Sequence, residues 1–116
     1  MKPVKLIAHF VINSGKTDEF KKLISNCIEV VKEREAGNGT LSYDWYFNAD
    51  QSEYKVLETY KDSNAVLAHA ANVGPYLAQF FEISTFSGEI FGQASEALKQ
   101  ALSPFDITYY EFDTGI

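Results

Sequence analysis

LETYKDSNAVLAHAANVGPY, residues 57–76, carries the end of one strand, a turn and most of a helix. LETY completes the alternating run YKVLETY (54–60), in which every second residue shares a face. Asp62, Ser63 and Asn64 are turn and N-cap residues whose short side chains accept from free helix N–H groups. Val66, Ala70, Val73, Leu77 and Phe80 then recur at helical spacing, and Gly74-Pro75 predicts a kink or a break into two helices. Four polar residues, Glu58, His69, Asn72 and Tyr76, stand among these apolar ones. They either line a site or tie the helix to the strand.

Upstream, VKLIAHFVI (4–12) alternates, with Val4, Leu6, Ala8, Phe10 and Ile12 on one face and Lys5, Ile7, His9 and Val11 on the other. Thr17 reads as the N-cap of a helix reaching about Glu35, with Asp18 and Glu19 where the helix dipole favours acids. Phe20, Leu23, Ile24, Cys27, Ile28 and Val31 form its apolar stripe, and AGNG ends it. TLSYDWYF (40–47) and residues 54–60, joined by NADQSE, form a hairpin. Downstream, FSGEIF (86–91) is a short strand, SEALKQAL a short helix, and ITYYEF (107–112) a last strand.

The order β-α-β-β-α-β, with a small helix before the final strand, is the ferredoxin-like split βαβ sandwich of the α+β class: an antiparallel sheet with both main helices on one face. No linker or repeat divides residues 1–116, so one domain is expected. The uncovered sheet face carries Ile7, His9 and Val11, which predicts a homodimer packed face to face.

Composition removes several function classes. The chain has 10 Lys and Arg against 16 Asp and Glu, a net charge of −6, and no basic stripe, so nucleic acid is not an expected partner. No apolar run approaches the roughly 20 residues of a membrane span. The start reads as a strand rather than a signal peptide, and the single cysteine, Cys27, sits in an apolar stripe. A cytoplasmic protein is expected. Phosphate loops, nucleophile elbows and Cys-His pairs are missing from the sequence, so nothing supports flavin, nucleotide or acyl-transfer chemistry.

GTLSYDWYF followed by EYKVLETYKDSNAVLAHAANV resembles the antibiotic biosynthesis monooxygenase-type domain of the dimeric α+β barrel superfamily. The resemblance rests on Gly39, Leu41 and Tyr43, on Glu58 and Tyr60, and on Asp62, Ser63 and His69, and it covers residues 4 to about 83. It implies a homodimer with a pocket between each sheet and its helices. It also implies cofactor-independent oxygenation of a small phenolic or quinol-type aromatic. The helical Trp and downstream His of the superfamily's haem-degrading branch fall near His69 and Gln79, so no haem, and no other cofactor, is expected.

His69, Asn72 and Tyr76 share one helical edge. In a catalytic reading His69 takes a phenolic proton, Glu58 serves as acid or base, and Asn72 or Tyr76 holds an oxyanion. In a structural reading His69 bonds Glu58 or a carbonyl and locks the helix to its strand. His9, Tyr43, Trp45, Tyr60 and Tyr76 are candidate substrate-binding groups, with core and interface packing as the alternative for the aromatic ones. His9, His69 and Glu58 have the composition of an iron site, yet no H-x-H or H-x-x-E spacing supports one, and no metal is expected. Glu29, Glu33 and Glu35 read as a solvated helix face. A non-catalytic ligand-binding or stress-linked dimer of the same fold is the rival to an oxygenase.

Overall fold

The computed structural model describes residues 3–116. Its elements run β1 (Val4–Ile12), α1 (Thr17–Arg34), β2 (Thr40–Phe47), β3 (Glu53–Tyr60), α2 (Ser63–Ile83), β4 (Ser84–Phe91), α3 (Glu96–Ala101) and β5 (Ile107–Tyr110). The strands form one sheet in the order β2-β3-β1-β4-β5. The first four pair antiparallel, as the split βαβ pattern requires. β5 joins the edge of β4 in parallel, so the complete sheet is mixed. A parallel neighbour needs a crossover connection, and the segment carrying α3 provides it.

Local chemistry explains most boundaries. Asp62 caps α2, its carboxylate accepting from the N–H of Ala65 at 2.9 Å, and Ser95 caps α3 by accepting from Leu98 at 3.1 Å. Thr17 is not a cap: Lys16 holds that position without a side-chain bond, and Thr17 is the first helical residue. Asp18 and Glu19 still lie in the first turn, where they offset the free N–H groups. α2 continues through Pro75 as one helix rather than two. Pro75 is exposed, so water can reach the carbonyl that its missing N–H leaves free.

α1 buries Phe20, Leu23, Cys27 and Val31, and α2 buries residues that include Val66, His69, Val73 and Phe80. Phe10 of β1 is the hub beneath them, with ring centroids 5.4 Å from Phe20, 5.7 Å from Trp45, 5.3 Å from Phe80 and 5.2 Å from Phe86. Complete burial of one such side chain contributes roughly 1.5–3 kcal/mol. The register then places Trp45, Val56, Ala8, Gly88 and Ile107 in one row across the helix-covered face. Ala8 and Gly88, the two smallest, occupy its middle; Ile107 and Phe86 close over Gly88, while the space above Ala8 stays open.

The other face carries Ile7, His9, Val11 and Leu57, with Val11 and Leu57 exposed by 42% and 43%. Among the described residues no helix is long and apolar enough to cross a membrane.

Candidate active site

Over Ala8 lies an apolar cavity of about 90 Å³. Its floor is Leu6, Ala8, Phe10 and Val56, and α2 roofs it with Val66, His69, Ala70, Val73 and Leu77. Its polar groups collect at the β2-β3 end, where Tyr43, Trp45 and Glu58 meet His69. Tyr43 pairs with Glu58 across the strands, and the imidazole of His69 lies edge-on to Tyr43 at 4.9 Å and tilted on Tyr60 at 5.4 Å. The β4-β5 end is apolar, walled by Phe81, Phe86, Leu102, Phe105 and Ile107.

His69 is held by a residue that its sequence setting disguised. Glu35, at the C-cap of α1, is 3% exposed rather than solvated, and its Oε1 lies 2.8 Å from Nδ1 of His69. The same carboxylate accepts from Oγ1 of Thr40 at 2.7 Å and from Nδ2 of Asn72 at 3.2 Å. Glu58, expected as the partner of His69, is instead 3.6 Å from its Nε2, too long for a hydrogen bond. Glu58 accepts from the hydroxyl of Tyr60. His69 therefore sits between two buried carboxylates, one bonded to Nδ1 and one near Nε2.

The two carboxylates are tuned in opposite directions. Burial alone would raise Glu35, but His69, Thr40 and Asn72 outweigh it and hold the group below the ordinary carboxylate value. It is therefore ionised, and Nδ1–H of His69 donates to it. Burial raises Glu58, with His69 and Tyr60 opposing and the charge of Glu35 reinforcing. Two acids pushed apart in this way provide a base side and an acid side at one site. Burial likewise raises Tyr43, helped by the charge of Glu58, and pushes Cys27 up to about 12, which leaves an inert packed thiol.

Of the residues singled out in the sequence, His69, Glu58, Tyr43 and Trp45 line the cavity. Asn72 sits behind it, bonded to Glu35, while Tyr60 is fully buried on Glu58. Tyr76 packs on the edge of the core. His9 lies on the opposite sheet face, with Nε2 2.8 Å from Glu53, beside a polar hollow of about 300 Å³ that includes Lys55 and Glu89. The His9, His69, Glu58 set is therefore not assembled, because alternate strand residues point to opposite faces. Among the described residues no cluster of three His, Cys, Asp or Glu side chains could hold a metal. Glu35 had one sequence signal: it falls four residues after Val31, in phase with the buried Leu23-Cys27-Val31 stripe.

One cavity group stands out. Among the described residues Nε1–H of Trp45 is buried and makes no well-formed hydrogen bond, although the hydroxyl of Tyr43 lies close to it. A buried donor left in that state is costly, by about 1–3 kcal/mol, and its place at the polar end fits an incoming oxygen acceptor.

The family model for antibiotic biosynthesis monooxygenase matches residues 3–82, and the chain belongs to that family. No curated protein matches the sequence. Among solved structures, the chain is similar to MupZ from Pseudomonas fluorescens, at 20% identity and a TM-score of 0.85, over 100% of this chain and 94% of that one. It also resembles Rv0793 from Mycobacterium tuberculosis, at 26% identity and a TM-score of 0.67, over 83% and 99% of the two chains. SnoaB, a cofactor-independent oxygenase from Streptomyces nogalater, shares the fold at 15% identity and a TM-score of 0.67, over 82% and 96%.

Proposed function

We propose that the protein is a cofactor-independent monooxygenase acting on a small phenolic or quinol-type aromatic, with His69 as the base. The observation that carries this reading is the Glu35–His69 pair at the wall of an apolar cavity, beside the N–H of Trp45, which makes no well-formed hydrogen bond. Family membership and the likeness to a cofactor-independent oxygenase support it. Among the described residues Nε2 of His69 has only the 3.6 Å approach to Glu58, so it is available to a substrate hydroxyl.

In this scheme the substrate enters oxygen first. His69 takes the phenolic proton, and Glu35 stabilises the imidazolium formed. Trp45 donates to the phenolate oxygen in surroundings that exclude water. A ring carbon of the anion bonds to O2 and becomes a peroxide. The peroxide takes back the proton held on His69; the same carbon then gives its hydrogen to His69 as a proton, the O–O bond breaks, and the departing hydroxide leaves as water with a proton from Glu58, which His69 restores. One atom of O2 becomes a carbonyl oxygen, the other becomes water, and all four electrons come from the substrate. Asn72 and Thr40 position Glu35, and Tyr60 positions Glu58.

The outer face, with Val11 and Leu57, fits a homodimer in which two sheets pack face to face. The reaction is tested with ¹⁸O2. The scheme predicts one labelled atom in the product carbonyl and one in water, whereas a product carbonyl that takes its oxygen only from solvent contradicts it.

A further inference from the structure

The cavity is smaller than anything it is proposed to bind. An apolar cavity of about 150 Å³ takes a benzene, and ligand pockets generally span roughly 300–1,000 Å³. At about 90 Å³ this one does not hold a single ring without movement of a wall. The floor belongs to the central strands, and the β2-β3 end is tied down by the Glu35, His69, Glu58 and Tyr60 bonds.

The β4-β5 end is built differently. Phe105 lines the cavity yet is partly exposed, and it lies in the connection between α3 and β5. Its ring packs against two other rings, Phe81 at 5.5 Å and Phe86 at 6.4 Å. Beside it, Ile107 leans over Gly88, where an added Cβ would come 2.8 Å from Cδ1 of Ile107. This segment follows the end of the family match at residue 82 and is laid over a cavity formed chiefly by the matched part.

We infer that Phe105 is the specificity-determining residue of this cavity: it closes the apolar end and sets how long an aromatic ligand can be when the ligand's oxygen lies against Trp45 and His69. The ligand class is a flat hydroxylated aromatic, polar at its leading end and apolar at its trailing end. The inference rests on the cavity being the ligand site, as the function proposed above does, but on no reaction.

Trp45 is the chain's single tryptophan and lines the cavity, so its fluorescence reports occupancy. Phenol, 1-naphthol and 2-hydroxyanthracene are titrated against the wild type, Phe105→Ala and Leu77→Ala, with calorimetry as a second readout. Leu77→Ala also removes an apolar wall, but from α2. The expected result is a gain in affinity for Phe105→Ala that grows with ring number, at least tenfold for three rings, and no such growth for Leu77→Ala. Phe105→Trp, read by calorimetry because it adds a second tryptophan, is expected to shift the preference towards phenol, which keeps the test open if the alanine variant folds poorly. Equal profiles for Phe105→Ala and wild type, or the same growth in Leu77→Ala, overturn the inference while leaving the cavity a ligand site. No binding of any probe to any variant overturns it together with the proposed function. Ring-dependent binding without oxygen uptake removes the oxygenase alone.

Discussion

Glu35 at the end of α1 and His69 in the second turn of α2 meet at 2.8 Å, although they stand 34 positions apart in the sequence. The contact joins the two main helices at the cavity wall and gives the imidazole a fixed orientation. Three donors converge on the Glu35 carboxylate, so its removal has a structural and a chemical cost that can be separated.

Glu35→Ala leaves His69, Thr40 and Asn72 without their acceptor and is expected to lower the unfolding free energy by about 3 kcal/mol, measured in urea. Glu35→Gln keeps the volume and an acceptor oxygen but loses the charge that stabilises an imidazolium. It should cost less stability than the alanine variant, yet lower kcat by about 100-fold, the scale of an acid–base contribution.

The two carboxylates predict opposite pH dependences. The folded pKa of Glu35 lies below its unfolded value of 4.5, so its contribution is present above 4.5 and is lost as pH falls through the folded value. That of Glu58 lies above 4.5, so its contribution is complete below 4.5 and is lost as pH rises through the folded value. Urea midpoints across the pH range should therefore show Glu35→Gln flattening the acid side and Glu58→Gln flattening the side above 4.5. Identical slopes in wild type and variants would contradict both assignments.

Trp45→Phe removes the buried donor while keeping the ring stacked on Phe10 and Phe80. The variant should lose no more than about 1 kcal/mol of stability, because the missing N–H made no well-formed hydrogen bond. Calorimetry should nevertheless show about tenfold weaker binding of a phenolic ligand, the loss of one hydrogen bond to an oxyanion. Unchanged affinity would remove Trp45 from the polar end of the site.

The uncovered sheet face gives a prediction about assembly. Leu57→Asp puts a charge at the centre of that face, opposite Ile7 in the strand register. Sedimentation equilibrium should show a wild-type dimer and a monomeric variant, whereas His9→Ala, remote from the cavity, should leave turnover unchanged.

Much of this was legible in the residues themselves. The alternation of β1, the 40–47 and 54–60 hairpin and the Asp62 cap all correspond to elements of the structure, because each rests on local periodicity or turn chemistry. His69, Glu58, Tyr43 and Trp45 were legible as candidates because polar or aromatic residues in apolar strand and helix settings have few places to point. Glu35 was hidden because its neighbours Arg34 and Glu33 are solvated, and what buries it, Thr40, His69 and Asn72, arrives from other elements. The separation of His9 from the site followed from strand parity, but which face held the cavity depended on where the helices packed. The continuity of α2 through Pro75 depended on that residue facing water.

The measurement that tests the central claim most directly is oxygen uptake by the purified protein, with no added cofactor, on a panel of hydroquinones and polycyclic phenols, with His69→Ala alongside. The account predicts uptake by the wild type and a loss of about 100-fold or more in the folded variant, whose urea midpoint also falls because the buried Glu35 carboxylate loses a partner. No uptake on any substrate, or uptake that His69→Ala leaves unchanged, would contradict it and leave Glu35 and His69 as a structural pair joining two helices.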